Sequence, residues 1–235
     1  MKEGIGTLYI VATPIGNLED ITLRALRILK EVDEIACEDT RHTRKLLSHF
    51  EISKPLISYF QHNQRARSSQ LIEKLKEGAT IALVSDAGTP GISDPGAFLV
   101  REAIQEGIVV VPIPGASAVI SALCASGLPT ERFYFQGFLP LKPGKRRGTM
   151  ESLKDLAATL VFYESGRRLS GLFKDLAEVF GEEKRAVVAR ELTKIYEEFL
   201  RGTLREIAAQ IPREGLKGEC VVLVDLREEK ATSLE

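Results

Sequence analysis

Four apolar residues, Ile81-Ala82-Leu83-Val84, run directly into twelve that are rich in glycine, proline and acid: Ser85-Asp86-Ala87-Gly88-Thr89-Pro90-Gly91-Ile92-Ser93-Asp94-Pro95-Gly96. A short apolar run without alternation predicts a strand buried on both faces, as in a parallel sheet. Twelve residues exceed the usual strand-to-helix connection. In an open parallel sheet, ligands bind beyond the carboxyl ends of the strands, where this loop would sit. Its glycines let backbone approach a ligand closely, its prolines fix the course of the chain, and Asp86 offers acceptor oxygens to hydroxyl or amino groups. It contains no Gly-Lys-Ser/Thr and no G-x-G-x-x-G opening a helix, so it is neither a Walker phosphate loop nor a dinucleotide fingerprint.

Working outward, the same arrangement recurs. Leu8–Ala12 reads as a strand followed by Thr13-Pro14-Ile15-Gly16-Asn17-Leu18, and Val109–Val111 as one followed by Pro112-Ile113-Pro114-Gly115-Ala116-Ser117-Ala118. Leu18, Ile21, Leu26, Leu29 and Val32 recur at helical spacing behind Asn17, a candidate cap. Glu34–Cys37 predicts a second short strand, and Thr43–Phe50, Arg67–Glu77 and Phe98–Gln105 predict helices. Such alternation defines βαβ units around a parallel sheet. The second half differs. Arg132–Phe138 alternates aromatic and polar residues, Pro140–Gly148 reads as a cationic loop, and Thr159–Tyr163, Arg185–Ala189, Glu197–Arg201 and Cys220–Leu226 are further strands. Helices are expected over Arg168–Phe180 and Leu204–Gln210. The short connection before Glu197 permits antiparallel pairing, hence a mixed sheet. The expectation is an α/β protein of two α/β domains: residues 1–118 with a mostly parallel sheet, residues 119–235 with a mixed one, and a ligand in the cleft between them.

The chain has 235 residues, 44% hydrophobic and 28% charged, with 32 Lys and Arg against 33 Asp and Glu. That balance excludes a protein that holds nucleic acid by bulk charge, and it leaves room for local basic patches. Cys37, Cys124 and Cys220 are too scattered for a disulfide framework. His42, His49 and His62 form no ligand pattern, so no metal site is expected. A reducing, cytosolic setting follows from the cysteine usage. The uncharged stretch between Glu106 and Glu131 is broken by Pro112, Pro114 and Gly115, which argues against a membrane span.

Val11-Ala12-Thr13-Pro14-Ile15-Gly16-Asn17-Leu18, Glu38-Asp39-Thr40-Arg41, Ser85 through Gly96, Pro114-Gly115-Ala116-Ser117-Ala118, Tyr163-Glu164-Ser165, Arg190-Glu191-Leu192-Thr193-Lys194 and Lys217-Gly218-Glu219 occur in that order. As a series they resemble the bacterial 16S ribosomal RNA cytidine 2′-O-methyltransferases of the tetrapyrrole methylase superfamily. The resemblance runs from about Gly6 to Leu226. It implies an S-adenosylmethionine-dependent homodimer acting on 16S rRNA, within the 30S subunit. By the same resemblance Pro14, Asp86, Gly88, Thr89, Ser117 and Ala118 would line the cofactor pocket from the first domain, and Tyr163, Leu192 and Gly218 from the second. The cofactor carries no phosphate and a cationic sulfonium, which suits glycine and carboxylate neighbours better than Lys or Arg.

Methylating a ribose hydroxyl calls for in-line positioning and a base for its proton. Glu164, Glu191 and Glu219 fall at strand ends inside the matched motifs and are the candidate bases, with Lys194 as an electrostatic partner. Their bland alternative is surface ion pairing. Where the family usually follows Tyr-Glu-Ser with Pro-His, this chain has Gly166-Arg167-Arg168, so no histidine is available there. Candidate RNA contacts are Arg41, His62, Lys142, Lys145, Arg146, Arg147, Arg167 and Arg168, with Tyr59, Phe60 and Phe138 as stacking surfaces. The alternatives are a tetrapyrrole (precorrin-type) C-methyltransferase, which would want an apolar trough in place of basic loops, and a non-catalytic RNA-binding relative, which would not need the cofactor loops.

Overall fold

The computed structural model describes residues 4–227, and the chain divides into two compact units, Met1–Ser117 and Ala118–Glu235. In the first, strands β1 (Thr7–Val11), β2 (Glu34–Cys37), β3 (Leu56–Ser58), β4 (Ile81–Val84) and β5 (Val109–Ile113) form one sheet in the order β3-β2-β4-β1-β5, with every pair parallel. All four residues of β4 are buried, as the unbroken apolar run requires. Helices α1 (Leu23–Glu31), α2 (Thr40–His49), α3 (Gln64–Lys76) and α4 (Ala97–Gln105) connect the strands. One core gathers Ala25, Ile28, Leu29, Ile35 and Leu47 with Val84; another gathers Leu71, Leu75, Leu99 and Ala103 with Leu8 and Leu83. The sheet is therefore covered on both faces, and its loop-bearing carboxyl edge is left for a ligand.

Two expectations here need correction. Asn17 does not cap α1. It caps a short 3-10 turn, Leu18–Asp20, whereas Thr22 accepts the Ala25 N–H at 3.1 Å and starts the helix. Tyr59 is 1% exposed, with its hydroxyl on Ser68, and cannot stack a base.

The second unit opens with α5 (Ala118–Ser126) and contains β6 (Phe133–Phe138), α6 (Pro143–Glu151), β7 (Thr159–Ser165), α7 (Leu169–Phe180), β8 (Arg185–Arg190), β9 (Glu198–Thr203), α8 (Leu204–Gln210) and β10 (Glu219–Asp225). Its sheet runs β6-β7-β10-β8-β9 and is mixed: β6 is parallel to β7, and the other pairs are antiparallel. Leu160, Phe162, Val222 and Val188 face α7 and α8 across one core, while α5 packs against β10 and β8. A capping box, Thr203 with Glu206, starts α8. Among the described residues no helix is long and apolar enough to cross a membrane.

The stretch expected as the loop Pro140–Gly148 is largely helix α6, with Pro143 in its first turn. Arg146, proposed for RNA, is 7% exposed. Its Nε donates to Asp175 Oδ2 at 2.7 Å and its Nη2 to the Gly171 carbonyl at 3.2 Å. Arg147 takes the other Asp175 oxygen at 2.9 Å. A carboxylate that is 3% exposed thus pins α6 to α7, leaving Lys142 and Lys145 as the exposed cations of that segment. Removing one partner of a buried pair strands the other's charge, at a cost of about 3–5 kcal/mol. Asp175→Ala is expected to lose that much in urea unfolding; a loss under about 1 kcal/mol would show that the pair does not anchor the helix.

Candidate active site

In the first unit the loops after β1, β4 and β5 meet at the carboxyl edge of the sheet. Thr13 and Gly88 exchange backbone hydrogen bonds, Thr13 N–H to Gly88 O at 2.9 Å and Gly88 N–H to Thr13 O at 3.0 Å. The buried Thr13 hydroxyl donates to the Ser85 carbonyl at 3.1 Å, and Ser85 Oγ donates to the Ala87 and Gly88 carbonyls. A Cβ on Gly115 would lie 2.9 Å from the Ala12 Cβ, so only glycine lets the β5 loop approach β1 this closely. Pro14, Thr89 and Ser117 are half-buried around this junction, and Gly88 is buried in it.

The β2 loop joins from the side: the Asp39 N–H donates to Asp86 Oδ1 at 3.1 Å. Asp39 also caps α2 and holds Arg41 through both carboxylate oxygens, at 3.2 and 2.8 Å. Hydrogen bonds from Arg41 keep the Asp39 carboxyl well below its usual range. Burial first, and then the charges of Asp94, Asp86 and Asp39, push Glu38 up; burial, and less so Asp86, pushes Asp94 up. Among the described residues Glu38, Asp86 and Asp94 form no ion pair. The edge is therefore electronegative and suited to a cationic group. No three acidic, His or Cys side chains among the described residues are placed to hold a metal ion.

In the second unit the three candidate glutamates differ. Glu164 is buried, and its Oε1 accepts the Ser165 N–H at 2.7 Å and Arg168 Nε at 2.6 Å. Glu191 Oε1 accepts Lys194 Nζ at 2.9 Å and the Glu219 N–H at 3.0 Å, and these bonds lower its pKa. Glu219 is exposed and held through Oε2 by Lys194 at 2.8 Å. Burial works against the Lys194 charge, yet its bonds to Glu219 and Glu191 outweigh it and raise its pKa. Sequence reasoning missed the backbone that builds this clamp. Glu191 and Thr193 sit at φ 51° and 65°, left-handed values that non-glycine residues rarely hold, and the Thr193 Oγ1 is buried without a hydrogen-bond partner among the described residues. Gly218 sits at φ 99°, which disfavours any residue with a side chain, and a Cβ there would lie 2.6 Å from the Glu191 carboxylate and displace it. Leu192 is buried beneath the turn, and Tyr163 packs edge-on against Phe135 with Phe138 beside it. His62, Arg41, Arg167, Lys142 and Lys145 are exposed, and Arg168 is tied to Glu164. A cavity of about 940 Å³, lined by Arg132, Phe180, Lys184, Asp225 and Arg227 among others, lies at the opposite end of this sheet and holds none of the motif residues.

The model of the tetrapyrrole (corrin/porphyrin) methylases matches residues 7–208. A crystal structure of uroporphyrin-III C-methyltransferase from Thermus thermophilus, complexed with S-adenyl homocysteine, matches with a TM-score of 0.63 at 20% identity, over 94% of this chain and 98% of that one. Ribosomal RNA small subunit methyltransferase I of Halalkalibacterium halodurans is 56% identical over 97% of this chain and 79% of its own length. The protein of the same name from Haemophilus influenzae is 50% identical over 96% and 80%. The chain belongs to the tetrapyrrole methylase family and, within it, to the group of ribosomal RNA small subunit methyltransferases I. It is a methyltransferase.

The lowered Glu191 value means that its share of the clamp is present above the ordinary glutamate range and lost as pH falls through the folded value. The raised Lys194 value means that its share is present below its ordinary 10.5 and lost as pH rises through the folded value. The clamp therefore persists across neutral pH. Carbon NMR of the Glu191 carboxyl should show titration below the usual range in the wild type and a return upward in Lys194→Met. An unchanged titration would mean that the lysine does not hold it.

Proposed function

We propose that this protein transfers a methyl group from S-adenosylmethionine to the ribose 2′-hydroxyl of a cytidine in the decoding region of 16S ribosomal RNA. We place it in the cytoplasm as a homodimer, acting on the 30S subunit. The observation that carries this reading is the 50–56% identity, over nearly the whole chain, with relatives named for the small ribosomal subunit RNA. The first unit supports the cofactor. Glu38, Asp86 and Asp94 form no ion pair among the described residues, which suits a sulfonium and a methionine ammonium. Pro14, Asp86, Gly88, Thr89 and Ser117, with Ala118, Tyr163, Leu192 and Gly218 from the second unit, are the proposed contacts.

When bound, the cofactor supplies an activated methyl group. The chain's own residues then orient the ribose and take the hydroxyl proton. Glu219 is the carboxylate proposed for this: its side chain is 84% exposed against 17% for Glu191 and 3% for Glu164, and Lys194 engages only its Oε2. Glu191, held ionised by Lys194, keeps that lysine in place, and Glu164 is buried and paired with Arg168. Glu219 Oε1 would take the proton that the ribose hydroxyl gives up when the methyl group passes to its oxygen from the cofactor's sulfur, which leaves as the neutral thioether. Tetrapyrrole C-methylation is the second reading, favoured by the fold match to the uroporphyrin enzyme.

Labelled cofactor incubated in parallel with 30S subunits and with uroporphyrinogen should label ribose; label on the tetrapyrrole alone would overturn the assignment. Asp86→Ala is expected to weaken cofactor affinity about tenfold or more, as loss of a contact to a charged group does. Calorimetry checks it, and unchanged affinity removes Asp86 from the pocket. Glu219→Gln should lower kcat by about 10²–10⁴-fold with cofactor affinity intact; an undiminished kcat excludes Glu219 as the base.

A further inference from the structure

Three connections are fastened together at the end of the second sheet that carries Glu164, Glu191 and Glu219. From the segment after β7, the Gly166 N–H donates to the Gly218 carbonyl at 2.8 Å and the Gly166 carbonyl accepts the Leu216 N–H at 3.0 Å. Gly215 packs so closely on the Arg167 carbonyl that a Cβ there would lie 2.6 Å from it. From the β8–β9 connection, the Glu191 N–H donates to the Glu219 carbonyl at 2.9 Å, and Arg190 Nη1 donates to the Lys217 carbonyl at 3.1 Å. The backbones of Arg167 and Lys217, with Arg213 just before Gly215, are thereby brought to one surface. All three side chains are exposed and form no ion pair among the described residues.

The β8–β9 connection projects from this surface. It is wound tightly: the Thr193 N–H donates to Glu197 Oε2 at 2.6 Å, the Lys194 N–H to the Glu191 carbonyl at 3.0 Å, and the Glu197 N–H to the Lys194 carbonyl at 3.1 Å. At its tip Ile195 is 95% exposed and Tyr196 71% exposed. A turn that accepts two left-handed non-glycine residues to hold an isoleucine and a tyrosine in water stores strain for a contact that it does not itself make. Two side chains cover far less than the roughly 800 Å² per partner of a stable protein interface. An aromatic ring on a fixed tip, at the same end of the sheet as Arg167, Arg213 and Lys217, matches an unpaired base within a phosphate backbone.

We propose that the three-loop end of the second unit, with Tyr196 at the tip as a base-stacking residue and Arg167, Arg213 and Lys217 as phosphate contacts, is the surface that engages single-stranded RNA next to the methylated nucleotide. The inference rests on the ribosomal RNA reading above and moves the principal RNA contact from α6, where Arg146 and Arg147 are committed to Asp175, to this end of the sheet.

The test uses the full chain with 30S subunits, binding to their RNA being measured over a salt series. Calorimetry with S-adenosyl homocysteine and sedimentation run alongside. Tyr196→Ala should weaken RNA binding about fivefold or more, the loss expected for one stacked base. Tyr196→Phe, which keeps the ring, should retain it. Arg167→Ala with Lys217→Ala should flatten the salt slope by about two. Cofactor affinity should be unchanged in every variant, showing that each is folded. Wild-type RNA affinity in Tyr196→Ala, or an unaltered slope in the double variant, overturns the proposal. So does a shift of Tyr196→Ala to a smaller assembly with RNA affinity intact, which would make the tip a contact between copies of the chain. If the unaltered protein binds cofactor but neither binds nor methylates RNA, the ribosomal RNA reading itself fails, and this surface with it.

Discussion

The mutual backbone bridge between Thr13 and Gly88 is the constraint on which the first unit's site depends. β1 and β4 are parallel neighbours, so their chains leave the sheet side by side and would otherwise end in unpaired peptide groups. Thr13 is 2% exposed, and a buried N–H or C=O left without a partner costs about 1–3 kcal/mol. Exchanging both bonds satisfies four such groups and turns two loops into one platform. The Thr13 hydroxyl on the Ser85 carbonyl and the close approach of Gly115 to Ala12 add the third loop to it. Asp86 is then set by its neighbours, and its position is carried to the β2 loop through the Asp39 N–H.

The second unit meets the same difficulty with charge and strain. Lys194 ties the carboxylates of Glu191 and Glu219, while positive φ at Glu191 and Thr193 lets the turn double back over Gly218. Three loops are then held by backbone bonds close to one another, and the catalytic proposal and the RNA proposal both draw on that junction. Buried charge is handled in the same economical way at Asp175, which takes two arginines and fixes α6. The electrostatics of the chain are local throughout: 32 cations against 33 anions give no bulk field, and the arginines and lysines without an acidic partner mark the surfaces open to a polyanion.

Much of this was legible in the sequence, and the reasons differ by element. β2, β4 and α8 match the sequence reading residue for residue, and in β4 an unbroken apolar run is what marks the strand. The loops after β1, β4 and β5 were identifiable from their place behind strands. The α6 segment reads as a loop because Pro143, Gly144 and Gly148 are turn residues by composition; only Asp175, far along the chain, shows why a helix forms with its arginines inward. Asn17 and Thr22 are both valid caps, and choosing between them depends on how Ala25, Ile28 and Leu29 pack. β3 lies behind Pro55 with three half-buried residues and has no counterpart in the sequence reading. In the site, the motif residues were visible but their division of labour was not. Glu164 differs from Glu219 by the arginine that reaches it, and the left-handed Thr193 is a β-branched residue where sequence rules expect glycine or asparagine.

The central claim is that the bridged loops of the first unit are a preformed cofactor platform. Backbone hydrogen exchange with and without S-adenosyl homocysteine tests it most directly. The amides of Thr13 and Gly88 should exchange slowly in the free protein, and added ligand should slow exchange further at residues 13–17, 86–91 and 115–117. Fast exchange at Thr13 and Gly88 in the free protein, or ligand protection confined to other parts of the chain, would contradict the account.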